Sequence, residues 1–302
     1  MKLRFCVLFL VLIPFLNCGI PNAQGEFVQS EIRNPKSKIS RDDAVKLFTD
    51  ANEKYLQAMK LVASNNIPKA NQMLQETAEL YETALAGGFR NGQIYYNLGN
   101  TYYRRGELGK AIANYRRAER LMPGNADLNA NLRLVKGATA DKELSAEIPV
   151  VVRWVFFWLF FLNLNELSFV AISLYVVVMA VLFFSSIRKY ACMKKVFIGF
   201  ASVLFVVLVS LGMKIYHEQG VSQGVIIVAK CEVRYGPGEE YEPKFEIHNG
   251  AECVIEDEKN DWYRVYVKVG VRQGTGTDTS VGEKTGKDVR RGWLQKKYVD
   301  MI

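Results

Sequence analysis

Two runs without a charged residue, Leu167–Phe184 (LSFVAISLYVVVMAVLFF) and Val196–Met213 (VFIGFASVLFVVLVSLGM), constrain this chain more than anything else in it. At about 1.5 Å rise per residue each run covers roughly 27 Å, close to the hydrocarbon thickness of a bilayer, so 167–184 and 196–213 are expected as transmembrane helices. The joining segment, 185–195 (SSIRKYACMKK), holds Arg188, Lys189, Lys194 and Lys195 and no acid. The outer flanks hold Glu166 on one side and Lys214 with Glu218 on the other. Positive charge collects on the cytoplasmic side, so this loop is expected in the cytoplasm. Everything before Leu167 and after Met213 then shares the opposite face of the membrane.

The first residues agree with that arrangement. Lys2 and Arg4 precede the apolar stretch Phe5–Leu16, and Ala23 is a small residue at a cleavage position, so 1–23 reads as a secretory signal. A retained signal anchor leaves the next domain on the same face. Cys18 raises lipidation as a third form of attachment, against which the bulkier Asn17 before it speaks.

The 302 residues, less the signal and two spans, leave room for two small soluble domains. A net charge of +8 is distributed over the loop, the domain surfaces and Lys284–Lys297, the pattern of solvated faces rather than of a nucleic-acid stripe. Two histidines, His217 and His248, are isolated from one another, and neither outer domain carries a Cys–His pair, a His-Glu-x-x-His motif or a Ser-x-x-Lys motif. No catalytic, cofactor or metal site is expected. Of the cysteines, Cys6 and Cys18 fall in the signal region and Cys192 in the cytoplasmic loop, leaving Cys231 and Cys253 outside.

A polar linker occupies 24–41, and helical patterning then begins at Asp42 or Asp43 as N-cap and runs through Phe48, Ala51, Tyr55 and Met59. A second helix places Ala70, Met73, Leu74, Ala78, Tyr81 and Leu85 on one face and ends at Gly87 and Gly88. With Gly92 in first place, Tyr95, Leu98, Gly99, Tyr102, Ala111, Tyr115, Ala118 and Pro123 follow at the spacing of a tetratricopeptide repeat. Gly99 and Ala111 let two antiparallel helices approach, Tyr115 and Ala118 pack on the neighbour, and Pro123 stops the second helix. The upstream repeat looks stretched between Lys60 and Lys69. Ala126–Val135 starts a further repeat and stops, as a capping helix does. The module, 42–137, thus holds about two repeats and a cap.

Between the core positions of the repeat's first helix lie Gln93, Tyr96, Asn100, Tyr103 and Arg104, with Asn131 from the cap beside them. Amides of this kind hold an extended peptide's backbone, tyrosines give contact area at low entropic cost, and arginine meets an acid. These six are the candidate peptide-binding groove, set against a plain polar surface. Carboxylate-clamping tetratricopeptide modules pair lysine with asparagine. Asn100 and Asn131 resemble the asparagines, while Tyr96 stands where the lysine would be.

A polar linker, 138–147, leads to the aromatic stretch 148–163, which contains Trp154 and Trp158. A third span there would be short, would bury Arg153 and would turn the basic loop outward. A helix lying in the outer interface, or a re-entrant segment, meets both constraints. Beyond the second span, short alternating runs separated by the turns RYGPG, HNG and EKND read as antiparallel strands.

VRYGPGEEY, DWYRVYV and GWLQKKYV make 224–302 similar to a bacterial SH3-type barrel, interrupted by the polar insertion 268–288. Trp262 and Trp293 are expected in its core or rim. In that alignment Cys231 and Cys253 both face inward, as a disulfide or as two buried thiols. The expected fold is therefore a multidomain membrane protein: an α-helical tetratricopeptide domain, a transmembrane helical hairpin and a small all-β SH3-like barrel.

The whole order of signal, repeats, aromatic segment, two spans and barrel resembles the BatE-like proteins of bacterial aerotolerance operons. That resemblance implies a scaffold in the bacterial inner membrane with both soluble domains periplasmic. Its implied partners are von Willebrand-type membrane proteins and a MoxR-type ATPase system. A peptidoglycan-binding anchor and an accessory to a wall hydrolase are the other readings.

Overall fold

A computed structural model describes residues 39–141, 156–187, 191–269 and 288–302. The signal region 1–23, most of the linkers, residues 148–155, Arg188 and Lys189 of the loop, and residues 270–287 of the insertion lie outside the described residues.

Five helices form the first module: α1 (Arg41–Ala63), α2 (Ile67–Ala86), α3 (Gly92–Arg104), α4 (Leu108–Leu121) and α5 (Ala126–Ala138). The first begins two residues earlier than the acids suggest. Ser40 is the N-cap, its hydroxyl accepting from the Asp43 amide, and Asp42 and Asp43 instead favour the positive end of the helix from within its first turn. The stretched upstream repeat has an ordinary turn, Ser64–Asn66, with Asn65 at φ 58°. The extra residues lengthen the helices, 23 and 20 residues against 13 and 14 for α3 and α4. Asn91 and Asn125 cap α3 and α5 through their side chains.

The core joins Tyr81 and Ala84 of α2, Ile94 and Leu98 of α3, Ala111, Ile112 and Tyr115 of α4, and Leu128, Leu132 and Val135 of α5. Gly99 is required where α3 crosses α4. A Cβ there would lie 2.6 Å from the Tyr115 ring, which is fully buried.

A five-residue helix, α6 (Phe157–Phe161), precedes α7 (Leu164–Ile187) and α8 (Ala191–Gln219). Leu164–Ile187 and Met193–Glu218 are long and apolar enough to cross a membrane. Their apolar side chains, Phe169, Phe183 and Phe205 among them, are largely exposed, as lipid-facing side chains are. Asn163 and Glu166 form a reciprocal capping box at the start of α7, each side chain accepting from the other's amide at 2.9 Å. Trp158 donates to Ser210 Oγ at 3.3 Å, and Lys214 Nζ donates to the carbonyls of Leu159 and Leu162. The described part of the aromatic stretch is thus tied to the C-terminal third of α8.

Seven antiparallel strands follow, in the order β3-β2-β6-β5-β4-β1-β7. They are β1 (Gln223–Ile226), β2 (Lys230–Arg234), β3 (Pro243–His248), β4 (Glu252–Lys259), β5 (Trp262–Val269), β6 (Asp288–Gln295) and β7 (Val299–Met301). The longest ladder, β5 with β6, runs from Trp262↔Gln295 to Val269↔Asp288. Gly250 (φ 88°) and Asn260 (φ 51°) supply the left-handed turns that HNG and EKND promise. Arg234 closes the RYGPG loop by donating to the carbonyls of Glu239 and Tyr241. Trp262 is buried and Trp293 half-buried. Ile226, Val233, Ile247, Val265, Leu294, Cys231 and Cys253 share one core.

The described residues form a small antiparallel sheet module whose order is open, with β3 and β7 at its edges. The outer edge of β7 is covered by α4. Arg117 donates to the Met301 carbonyl at that edge, and Arg120 to the carbonyl of Ile302 just beyond it.

The two soluble modules are packed together rather than separated by a free tether. Gly109, at the start of α4, donates its amide to Asn249 Oδ1 at 2.7 Å. A Cβ at this position would lie 2.2 Å from the Ile226 carbonyl oxygen. Arg117 pairs with Asp300, and Arg116 and Lys136 both reach Glu252. The expected linker beginning at 138 is also part of the contact, because Asp141 accepts from the His248 amide at 2.7 Å.

Candidate peptide-binding groove

The asparagines of α3 are spaced three apart, at 97 and 100, and each is held by neighbours on other helices. Asn100 Oδ1 accepts from Tyr115 OH of α4 at 2.7 Å and from Asn131 Nδ2 of α5 at 3.0 Å. Asn131 Nδ2 also reaches Tyr96 OH at 3.1 Å. The Tyr96 and Tyr115 rings lie 6.1 Å apart at 41°. One amide therefore collects a hydroxyl and an amide from the next two helices, fixing the seam among α3, α4 and α5.

A second set lies one turn back. Asn52 Oδ1 of α1 accepts from Tyr81 OH at 2.6 Å and from Asn97 Nδ2 at 2.7 Å, and Asn97 Oδ1 accepts from Gln93 Nε2 at 2.8 Å. The tyrosine hydroxyls at these two seams are kept protonated. Burial pushes the Tyr81 and Tyr115 phenols well above their ordinary value, and for Tyr115 the neighbouring Tyr96, Tyr55 and Tyr103 add to the rise while Arg104 opposes it. Each hydroxyl thus acts as a standing donor to its asparagine.

Of the six residues that the sequence proposes, the structure joins Tyr96, Asn100 and Asn131 directly. It sets Tyr103 and Arg104 in the electrostatic surroundings of Tyr115, and ties Gln93 to Asn97. Arg104 is exposed in the last turn of α3 and Tyr103 is half-buried. Three further residues belong with them: Asn52, Tyr55 and Asn97. Tyr55 falls on the apolar stripe of α1 when read by periodicity alone, yet it is half-buried and contributes to the electrostatic surroundings of the Tyr115 phenol. The available signal was the Asn52–Tyr55 spacing on α1, which repeats the amide-and-phenol chemistry of α3.

Residues 92–125 match the tetratricopeptide repeat family. The tetratricopeptide repeat thus comprises α3, α4 and the turn after Pro123, with α1 and α2 packed before it and α5 after it. No curated protein matches the chain. Repeats of this kind are interaction modules, and the first helix of the repeat carries the amide and phenol groups described above.

The sheet module has a cleft of its own, about 430 Å³, lined by Trp262, Tyr298 and Gln295 with Lys230, Glu232, Arg234, Glu239 and Glu246. Four of its charges are paired in place, Lys230 with Glu246 and Arg234 with Glu232, while Glu239 accepts from Gln295 Nε2. Cys231 also borders it. Cys231 and Cys253 are both buried and unbridged in the structure, and burial pushes both thiols up to about 12. Among the described residues, no three His, Cys, Asp or Glu side chains gather to hold a metal ion.

Proposed function

We propose that this chain is a membrane-anchored scaffold whose repeat binds an extended segment of a partner protein along Tyr55, Tyr96, Asn100, Tyr103, Arg104 and Asn131. The observation that carries this reading is the pair of hydrogen-bonded amide and phenol sets on the helical module, one around Asn52 and Asn97 and the other around Asn100 and Asn131. Such groups offer a peptide backbone donors and acceptors, the tyrosines contribute rigid area, and the exposed Arg104 favours an acidic residue in the bound segment. The apolar hairpin supports anchoring in a bilayer, and the basic loop supports an orientation with both soluble modules on the periplasmic face of a bacterial inner membrane. The short 3₁₀ turn Lys296–Tyr298 before the last strand, and the bulged strands β3 and β4, support an SH3-type assignment for the sheet module.

Within this reading the BatE-like resemblance suggests an aerotolerance or envelope-stress complex, with von Willebrand-type proteins and a MoxR-type ATPase as the partners to try first. The direct experiment is co-purification from crosslinked membranes. Replacing Tyr96, Asn100 and Arg104 together with alanine is expected to abolish recovery of the partner, and unchanged recovery refutes the groove. A second reading, attachment to peptidoglycan, is favoured by the cleft holding Trp262 and Tyr298, since aromatic faces accept sugar rings. Pelleting of the full chain with purified peptidoglycan, compared with Trp262→Ala, tests it.

A further inference from the structure

Glu252 opens β4 in the sheet module, yet its carboxylate faces the repeat. It accepts from Arg116 Nε and Nη2, both at 2.9 Å, and from Lys136 Nζ at 3.2 Å. Arg116 adjoins Tyr115 on α4, and Lys136 lies on α5, the helix that carries Asn131. One carboxylate therefore ties together the two helices that deliver a phenol and an amide to Asn100. Burial by itself disfavours the Arg116 charge, but the hydrogen bonds and charge of Glu252, with Glu119 behind them, more than offset it and hold the guanidinium charged. The turn just before Glu252 fits the same seam. A Cβ on Gly250 would lie 2.4 Å from the Thr139 side chain, just past the end of α5, and 3.1 Å from Ile112 of α4.

We propose that Glu252 is a positioning residue of the groove: by gripping Arg116 and Lys136 at once, the sheet module sets α5 against α4 and seats the Asn131 amide between Asn100 and Tyr96. The sheet module then acts on recognition without touching the bound segment. This rests on the reading of that surface as a groove, but the tie itself is measurable with no ligand present.

The test uses the full chain in detergent micelles and hydrogen exchange resolved by peptide. Glu252→Arg sets a third cation against Arg116 and Lys136. It is expected to speed exchange in α5 by about tenfold while leaving α1 and α2 unchanged. The triple variant Arg116→Glu, Lys136→Glu, Glu252→Arg, made in a Glu119→Gln background so that position 116 does not meet the carboxylate that pairs with Arg116, restores the pairing with reversed charge and is expected to return α5 to within about twofold of that background. Unchanged α5 exchange in Glu252→Arg, or no recovery in the triple variant, overturns the tie. If Glu252→Arg fails to fold, Glu252→Gln decides: α5 exchange about threefold faster supports the tie and no change overturns it. The groove is read separately, with a 12-residue peptide selected from a random library on the parent chain and lost on Asn131→Ala. Its affinity is expected to fall about tenfold in Glu252→Arg and to return in the triple variant. If no Asn131-dependent peptide can be selected, the groove reading fails while the exchange result stands. A peptide whose affinity ignores Glu252 overturns the positioning role.

Discussion

Gly109→Ala separates two packed modules with a single methyl group. The added Cβ would lie 2.2 Å from the Ile226 carbonyl oxygen, 2.3 Å from Asn249 Oδ1 and 3.0 Å from Ile227 Cα. Two of those three atoms are main chain, so no rotamer relieves the overlap. Since non-bonded contacts sit near 3.5 Å, α4 and β1 must part by roughly 1 Å. Overpacking of this kind costs about 1–3 kcal/mol, and loss of the Gly109 amide bond to Asn249 adds about 1 kcal/mol. Alanine's helical advantage over glycine returns at most about 1 kcal/mol, less in the first turn. The net is about 1–3 kcal/mol against the packed arrangement. Hydrogen exchange of the α4 and β1 amides is expected to quicken in step, and the coupling between Arg116 and Glu252 in a double-mutant cycle is expected to shrink toward zero. Gly137→Ala is the control, because a Cβ there meets nothing within 4 Å and the helix gains a few tenths of a kcal/mol up to about 1 kcal/mol. Unchanged exchange at β1 together with an intact Arg116–Glu252 coupling in Gly109→Ala would refute the packed interface.

Three further outcomes follow from particular contacts. Gly99→Ala drives a methyl to 2.6 Å from the buried Tyr115 ring, so urea unfolding of the repeat is expected to show a loss of about 1–3 kcal/mol, and an unchanged midpoint would contradict the α3–α4 crossing. Asn52→Ala strips the Tyr81 hydroxyl and the Asn97 amide of their shared acceptor, an expected cost of about 1–3 kcal/mol in the same assay, whereas a neutral effect would show that water replaces it. Cys231 and Cys253 titrate near 9 when unfolded and are raised to about 12 when folded, so the folded chain holds their protons longer; sheet stability is expected to be level below pH 9 and to fall as pH rises from 9 toward 12. Alkylation at pH 8 without reductant is expected to label neither of these two thiols in the folded chain and both after denaturation, and failure of Cys231 and Cys253 to label in the denatured chain would establish a bridge instead.

The repeat was legible because its signal is steric. Gly99, Ala111 and Ala118 are small where helices touch, Tyr115 is large where a hole must be filled, and all four are buried as the spacing requires. The two long helices were legible for the same kind of reason, since an uncharged run of that length is uncomfortable anywhere but lipid. Polar side chains were harder, because an asparagine's partner depends on which helix lies opposite. Asn100 and Asn131 could be named from their places in the repeat, while Asn52 and Tyr55 on α1 required the packing. The contact between modules left still less trace. Arg116, Arg117 and Arg120 look like an ordinary solvated row on α4 until Glu252, Asp300 and the Ile302 carbonyl are seen opposite them, well over a hundred residues later. The SH3-like barrel expected from the strand motifs is met by a sheet of open order, whose β7 edge faces α4.

Photo-crosslinking in native membranes tests the central claim most directly. A benzophenone amino acid replaces Tyr103 in the groove or, as its counterpart, exposed Gln75 on α2, which borders a separate cleft with Asn71, Gln72, Arg105 and Glu107. The groove position is expected to give a discrete adduct that disappears when Arg104 and Asn131 are replaced by alanine, with none from position 75. Equal adducts from both positions, or an adduct at 103 indifferent to Arg104 and Asn131, would contradict recognition through this groove.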